Sequence, residues 1–140
     1  MVRLALVLAA LGLIWTSGIV LGSDTGRQAA ALSAAQKWLA LVDAGKYAES
    51  WNEAAELFKN AVSSQQWEQA ARAARKPLGN LIDRQFRSST YQSTLPGAPD
   101  GEYVVIQFEA SFENKRAAVE TVTPMLDQDG AWRVAGYFIR

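Results

Sequence analysis

Two acidic residues and two tyrosines are the side chains in this sequence best suited to acid–base chemistry. Asp83 and Glu120 fall in segments with a strand-like pattern, and Tyr91 and Tyr103 lie in or beside the strand segments between them. A carboxylate can act as a general base near neutral pH when burial raises its pKa, and a tyrosine hydroxyl can then donate the proton. In an enclosed polar pocket, these four residues would suit a small-molecule lyase or isomerase.

Missing residue types argue against most other enzyme chemistry. The sequence contains no histidine and no cysteine, which removes the usual general base at neutral pH, thiol catalysis, disulfides and the commonest zinc ligands. Glycine-rich phosphate loops, zinc-binding spacings and the serine nucleophile elbow are also missing. We therefore assign no catalytic residue, no metal and no cofactor from the sequence. A non-enzymatic binding or interaction module is the leading interpretation, and the lyase or isomerase is the alternative.

One predicted contact joins two oppositely charged residues of different strands. Arg84 shares a strand face with Ile82 and Phe86, and Glu120 interrupts an apolar run. A guanidinium on a buried face needs a paired acid or several carbonyl groups. We hypothesise that Arg84 and Glu120 meet on the concave side of the sheet, as a polar feature inside an otherwise apolar cavity. The alternative is an edge-strand arginine in water, because a one-residue slip around Asn114 would reverse the side of Glu120.

Two charged clusters on the predicted helices have a structural and a binding interpretation. Three glutamates at i, i+4 and i+7 could gather calcium, but a hard cation needs six or more oxygens, which favours a solvated helix face. Three cations at a helix end could contact an anion or a lipid head group, but a helix C-terminus itself favours cations. The structural interpretation is favoured for both. The clusters are Glu49, Glu53 and Glu56, and Arg72, Arg75 and Lys76.

Tryptophans mark the predicted core. Trp38, Trp51 and Trp67 fall on the apolar stripes of three successive helical segments. Core packing is therefore favoured over the lining of a ligand cavity, and Trp51 is kept as a pocket candidate. Trp132 lies beside a turn at the start of the last strand, where either role is open.

Periodicity divides the chain into helices followed by strands. Apolar spacings of three and four, with Gly45 as a C-cap and a Ser63 capping box, predict helices over residues 29–44, 47–62 and 63–76. Alternating side chains then predict strands from residue 82 to the end. We expect an α+β fold in which N-terminal amphipathic helices pack on one curved antiparallel sheet of about four strands.

The last strand is predicted to be apolar on both faces, which is typical of a strand inside a sheet or beneath a partner. Tyr103, Val105 and Tyr137 would add apolar surface to the outer sheet face, so we expect a homodimer through that face. Strict alternation puts Trp132, Val134, Gly136 and Phe138 on one face of the last strand, and Arg133, Ala135, Tyr137 and Ile139 on the other.

The N-terminus has the pattern of an export signal. Arg3 precedes an uncharged apolar run over residues 4–20, and the small residues before Ser23 suit cleavage after Gly22. The run is short for a membrane span, so cleavage is favoured over a retained single anchor. We therefore expect a periplasmic or secreted protein. With an uncleaved anchor, the chain would be an accessory subunit of an envelope complex.

Length and charge are typical of one globular domain. Of 140 residues, 49% are hydrophobic and 20% are charged, and fourteen Lys and Arg balance fourteen Asp and Glu. The basic stripe of a nucleic-acid binder is missing, so we expect no nucleic-acid partner. We divide the chain into residues 1–22 as signal peptide or uncleaved anchor, residues 23–28 as linker and residues 29–140 as a single domain.

The order of several short motifs resembles the bacterial family called domain of unknown function 4019. The resemblance covers nearly all of residues 30–140 and brings no catalytic motif. Helices followed by a four-stranded sheet with a final Gly-x-Trp-x-Val strand also look, more remotely, like the cystatin and nuclear transport factor two-like folds. That resemblance implies an α+β roll with a pocket between helices and sheet, but not a function. The motifs are Leu41-Val42-Asp43-Ala44-Gly45-Lys46-Tyr47, Ser50-Trp51, Trp67, Arg75-Lys76-Pro77-Leu78-Gly79, Asp83-Arg84, Gly101-Glu102-Tyr103 and Gly130-Ala131-Trp132-Arg133-Val134-Ala135-Gly136-Tyr137.

Overall fold

Four helices precede a four-stranded antiparallel sheet in the computed structural model, which describes residues 23–140. The α+β class is confirmed, and the strands follow one another as a meander in the order β1-β2-β3-β4. The helices are α1 (Ser23–Asp43), α2 (Tyr47–Asn52), α3 (Glu56–Ala61) and α4 (Ser64–Arg75), with a 3₁₀ turn at Lys76–Leu78, and the strands are β1 (Leu81–Gln92), β2 (Tyr103–Phe112), β3 (Lys115–Leu126) and β4 (Trp132–Ile139).

Helix α1 begins at Ser23, so residues 23–28, which the sequence predicts to be a short linker, are helical in the structure. Polar contacts rather than an apolar stripe hold this first part of the helix against the sheet. The guanidinium of Arg27 lies 5.1 Å from the ring centre of Tyr91, and the Ser89 hydroxyl donates to Gln28 Oε1 at 2.7 Å. The predicted export segment, residues 1–22, lies outside the described residues. Within the described part, no helix is long and apolar enough to cross a membrane.

The second predicted helix is two short helices, because the chain breaks between α2 and α3 to contact the sheet. Ala54 and Ala55 are fully buried there, and the Ala55 backbone N–H donates to the Val134 carbonyl of β4 at 2.8 Å. The predicted single helical face of Glu49, Glu53 and Glu56 therefore does not form. Among residues 23–140 no group of acidic side chains is placed to hold a metal ion.

The start of α4 and the end of α1 follow their predicted signals. Ser63 Oγ accepts from the Gln66 backbone N–H at 3.1 Å, and the Ser63 N–H donates back to Gln66 Oε1 at 2.9 Å, which completes the capping box. Gly45 follows α1 with a φ of +72°, a left-handed conformation that glycine adopts readily. Helix α4 ends at Arg75, just before the turn that contains Pro77.

The helices pack on one face of the sheet around an aromatic core. Trp38, Phe58, Trp67 and Tyr137 contact one another with ring centres 5.0 to 6.3 Å apart. The indole N–H groups of Trp38 and Trp67 are satisfied by the carbonyl and the hydroxyl of Ser50, both at 2.8 Å. The core interpretation of these two tryptophans is therefore correct, and their rings fill the space between helices and sheet.

A bulge at Ala135 exchanges the two predicted faces of β4 in the part of the strand that follows it. Thr123 of β3 pairs with Gly136, whereas the next residue, Pro124, pairs with Val134, so Ala135 is an extra residue in β4. A bulge shifts side-chain alternation by one position. The strict alternation predicted for this strand is therefore wrong: the helix-facing core contains Val134 together with Tyr137, and Trp132 and Ile139 pack against it.

A bulge at the start of β1 also corrects a predicted face. Leu81 pairs with Phe112 but Asp83 pairs with Ser111, which leaves Ile82 in the irregular position and 63% exposed. Arg84 pairs with Ala110, on the side of β2 that faces the helices. The predicted common face of Ile82 and Arg84 is therefore interrupted by the bulge.

The outer sheet face lacks the apolar patch predicted from the tyrosines. The ring of Tyr103 is fully buried, and its hydroxyl donates to the Pro99 carbonyl in the loop before β2 at 2.5 Å. Tyr137 faces the helices instead, and Val105 is half-buried. The homodimer stays a prediction, but Tyr103 and Tyr137 cannot form its interface.

Candidate functional site

Five ionisable side chains from five different elements meet where the helices cover the sheet, and we call them the ion cluster. They come from the C-terminal ends of α1 and α4 and from strands β1, β3 and β4. The three strand residues lie on the sheet face that packs against the helices, and the two helix residues are the last residues of α1 and α4. The members are Asp43, Arg75, Arg84, Glu120 and Tyr137.

Arg84 is the centre of the ion cluster and pairs with two carboxylates through two edges of its guanidinium. Its Nε donates to Glu120 Oε1 at 2.7 Å and its Nη2 donates to Oε2 at 3.2 Å. Its Nη1 and Nη2 donate to Oδ2 and Oδ1 of Asp43 at 2.7 and 2.9 Å. Paired, bidentate contacts of this kind are among the strongest hydrogen bonds in proteins. The two carboxylates together raise the pKa of Arg84, although burial opposes its charge.

Glu120 is fully buried and is held from two sides. Besides Arg84, the hydroxyl of Tyr137 donates to Glu120 Oε2 at 2.5 Å. Burial and the nearby Glu120 carboxylate raise the pKa of Tyr137 well above its ordinary value, so this hydroxyl stays protonated and keeps donating. The predicted contact of Arg84 with Glu120 on the helix-facing side is therefore present, and Tyr137 completes it.

Asp43 bridges the two arginines of the ion cluster. Arg75 Nη2 donates to Asp43 Oδ1 at 2.8 Å, the same oxygen that accepts from Arg84. Burial disfavours the charge of Asp43, but the hydrogen bonds from Arg84 and Arg75 outweigh it and hold the pKa of Asp43 below its usual value. The Arg75 guanidinium lies 4.8 Å from the ring centre of Phe112, and its Nε and Nη1 atoms have no hydrogen-bond partner.

The charges of the ion cluster balance, so its geometry suits structural anchoring better than proton transfer. Two arginines face two carboxylates and a neutral tyrosine, and the Glu120 side chain has no exposed surface. A general base must reach its substrate within hydrogen-bonding distance. Glu120 cannot do so without breaking its contacts with Arg84 and Tyr137.

The other predicted site residues lie apart from Glu120. Asp83 is exposed and accepts from the neighbouring Gln85 side chain at 3.2 Å. Tyr91 donates to Glu102 at 3.4 Å, and Tyr103 is covered by the loop before β2. Trp51 is half-buried, with its indole N–H on the Val62 carbonyl at 2.8 Å. These residues do not form one enclosed polar pocket.

Two surface pockets border α1, and the second of them also borders the ion cluster. The larger, which we call the α1–β4 groove, has a volume of about 680 Å³. Its lining includes Trp38 and Trp132 and the charged residues Lys37, Glu49, Glu53 and Arg133. The second, which we call the basic pocket, has a volume of about 510 Å³ and lies where α1, α4 and β1 meet. It is lined by Val42, Asp43, Ala44, Gly45, Tyr47, Arg72, Arg75, Lys76, Gly79, Asn80 and Leu81.

Sequence reasoning found two members of the ion cluster and missed three. Asp43 and Arg75 each sit in the last turn of an apolar-patterned helix, where a charged residue is usually exposed. Tyr137 was placed on the outer face because the β4 bulge leaves no mark in the alternation. The signal available in the sequence was the arginine itself: a guanidinium has five N–H donors, more than one carboxylate can accept, so a buried Arg84 needs further acceptors besides Glu120.

A family model described as Protein of unknown function (DUF4019) matches residues 34–137. The match covers most of the chain, which therefore belongs to this family, as its motif order indicated. No curated protein and no solved structure gives a significant match. The remote likeness to cystatin and nuclear transport factor two-like folds stays a prediction.

Proposed function

We propose that this member of the DUF4019 family is an exported, non-enzymatic binding module. The observation that supports the proposal best is the state of Glu120, the one fully buried carboxylate of the described residues. Arg84 and Tyr137 occupy its oxygens with three hydrogen bonds, so its charge is used inside the fold. Function then depends on the surface, where the α1–β4 groove and the basic pocket offer concave sites for a ligand.

A ligand screen coupled to product analysis tests the non-enzymatic part of this proposal. Purified protein is screened by thermal unfolding against small anions, cations, sugars, amino acids and peptides, because a ligand that binds only the native state raises the midpoint. Each compound that binds is then incubated with the protein and recovered for NMR and mass spectrometry. We expect recovery of unchanged compound.

Conversion of any bound compound by the wild-type protein would contradict the proposal, and the variant Glu120→Gln then tests whether Glu120 is responsible. The matched control is Glu109→Gln, the same change at an exposed position of β2. Conversion by wild type and by the Glu109→Gln variant, but not by the Glu120→Gln variant, would instead support the lyase or isomerase alternative.

Export is proposed from the N-terminal pattern, namely Arg3, the apolar run and the small residues before Ser23. Mass spectrometry of the protein expressed with its full N-terminus in a Gram-negative host, after cell fractionation, is the test. We expect a periplasmic chain that begins at Ser23. A chain that keeps Met1 in the membrane fraction would favour the anchored accessory subunit, and a chain that keeps Met1 in the cytoplasm would refute export.

A further inference from the structure

We infer that the basic pocket binds a phosphate group, either free or carried by a larger ligand. The inference rests on the proposed binding function and assigns it a site and a ligand class. Three cationic side chains and one acidic side chain line this pocket, in a protein whose Lys and Arg equal its Asp and Glu in number. The cations are Arg72, Arg75 and Lys76, and the acid is Asp43.

Asp43, the acidic residue of the pocket, is already paired with arginines. Both oxygens of Asp43 accept from Arg84, and Oδ1 accepts from Arg75 as well. The carboxylate of Glu113, near the pocket rim, accepts from the Asn80 backbone N–H at 2.9 Å. Within the described residues, Arg72 and Lys76 have no acidic partner within 4.0 Å. The positive charge of the pocket is therefore available to a ligand.

Arg75 provides the observation that points to a missing ligand atom. Its side chain is 94% buried, since only 6% is accessible, and its Nε and Nη1 atoms have no acceptor. Buried polar groups almost always have a hydrogen-bond partner, and a buried guanidinium lacking one is unfavourable. An oxygen that enters from the pocket would accept from this guanidinium.

Several features of the pocket suit phosphate better than a carboxylate. The lining has three cations against one acid, and even with the Glu113 carboxylate near the rim a positive charge remains in excess for an anion. Tyr47 and Asn80 also line the pocket, and each carries a neutral side-chain donor, a hydroxyl and an amide. The guanidinium of Arg72 lies 5.8 Å from the ring centre of Tyr47, which orients it at the pocket. The volume of about 510 Å³ leaves room for a group bonded to the phosphate.

Titration of the folded protein with inorganic phosphate at constant ionic strength, by calorimetry and phosphorus NMR, tests the inference. We expect saturable binding to wild type, and at least about a tenfold loss of affinity in the Arg72→Gln/Lys76→Gln variant, because hydrogen bonds to charged groups are the strong ones. Both replaced residues are exposed, so the variant should fold. The matched control is Lys37→Gln, which removes one charge from the α1–β4 groove and should leave phosphate affinity unchanged.

Arg75→Met tests the buried donor itself. This variant keeps an apolar stem and leaves Asp43 paired with Arg84, and its fold is checked by circular dichroism before titration. We expect a loss of phosphate binding at least as large as that of the Arg72→Gln/Lys76→Gln variant. If the Arg75→Met variant does not fold, the titrations of the Arg72→Gln/Lys76→Gln and Lys37→Gln variants alone test the phosphate site.

Three outcomes would overturn the site: no phosphate binding to wild type, equal affinity in the Arg72→Gln/Lys76→Gln variant, or the same loss with Lys37→Gln. Vesicles with and without phosphatidic acid distinguish the source of the phosphate group. Vesicle binding that phosphate competes away supports the site and identifies a lipid head group, whereas binding of free phosphate alone supports a soluble ligand. If phosphate does not bind at the basic pocket, the proposed binding function still holds when other compounds bind and are recovered unchanged. The proposed binding function is refuted independently if a bound compound is converted by Glu120.

Discussion

Removal of Arg84 should destabilise the protein more than removal of its partner Glu120. In Arg84→Met, the Glu120 carboxylate stays fully buried with only the Tyr137 hydroxyl as donor. Breaking a buried ion pair in this way costs about 3–5 kcal/mol, a large share of the total of about 5–15 kcal/mol for a domain. For the 118 described residues, this corresponds to a fall in midpoint of about 12–20 °C.

Glu120→Gln should cost about 1–3 kcal/mol, since it removes the buried charge and leaves Arg84 paired with Asp43. The double variant Arg84→Met/Glu120→Gln has no charge at position 120, so no buried carboxylate is left without its arginine. Its cost should therefore be smaller than the sum of the single costs by about 1–3 kcal/mol. Urea unfolding followed by fluorescence of the buried tryptophans measures all three.

Arg87→Met is the matched control on the same strand, because Arg87 is exposed and lies 3.9 Å from an exposed glutamate. It should change stability by less than about 0.5 kcal/mol. Two results would refute the structural role of the ion cluster. One is a free energy of unfolding of Arg84→Met within about 1 kcal/mol of the wild-type value, and the other is a double-variant cost equal to the sum of the two single costs.

Three further predictions concern the elements around the ion cluster. Ser50→Ala removes the acceptor of the buried Trp67 indole and should lower the free energy of unfolding by about 1–3 kcal/mol in urea titrations; no change would contradict it. Gly79→Ala should destabilise more than Gly45→Ala in thermal unfolding, although both have φ near +75°, because only at Gly79 would a Cβ lie 2.9 Å from another side chain; equal costs would contradict this. The folded pKa of Asp43 is lowered, so its stabilising contribution is present above its unfolded pKa of about 4 and is lost as pH falls below it. Acid titrations should therefore show a flatter loss of stability in Asp43→Asn than in wild type, and identical acid limbs would argue against the lowered pKa.

Much of the fold follows from local patterns in the sequence. The capping box at Ser63, the glycine after α1 and the alternation of β2 all correspond to observed features, since each is decided by neighbouring residues. The contact of Arg84 with Glu120 was also predictable. A buried guanidinium needs an acidic partner, and Glu120 is the acidic residue that interrupts an apolar strand segment.

The remaining features depend on contacts between distant parts of the chain. The break between α2 and α3 follows from the hydrogen bond between Ala55 and Val134. The bulge at Ala135 moves Tyr137 to the helix side, and no local pattern marks it. Arg75 joins the ion cluster only because α1 and α4 end over the same part of the sheet. Periodicity predicts the faces of single elements, but not the meeting of their ends.

A phosphate titration of isotope-labelled protein, followed by amide proton–nitrogen correlation spectra, tests most directly where this protein binds its ligand. The account predicts saturable shifts at the basic pocket, from Val42 to Tyr47, from Arg72 to Lys76 and at Gly79 and Asn80. Shifts confined to the α1–β4 groove, or no shifts at phosphate concentrations that saturate the calorimetric signal, would contradict it.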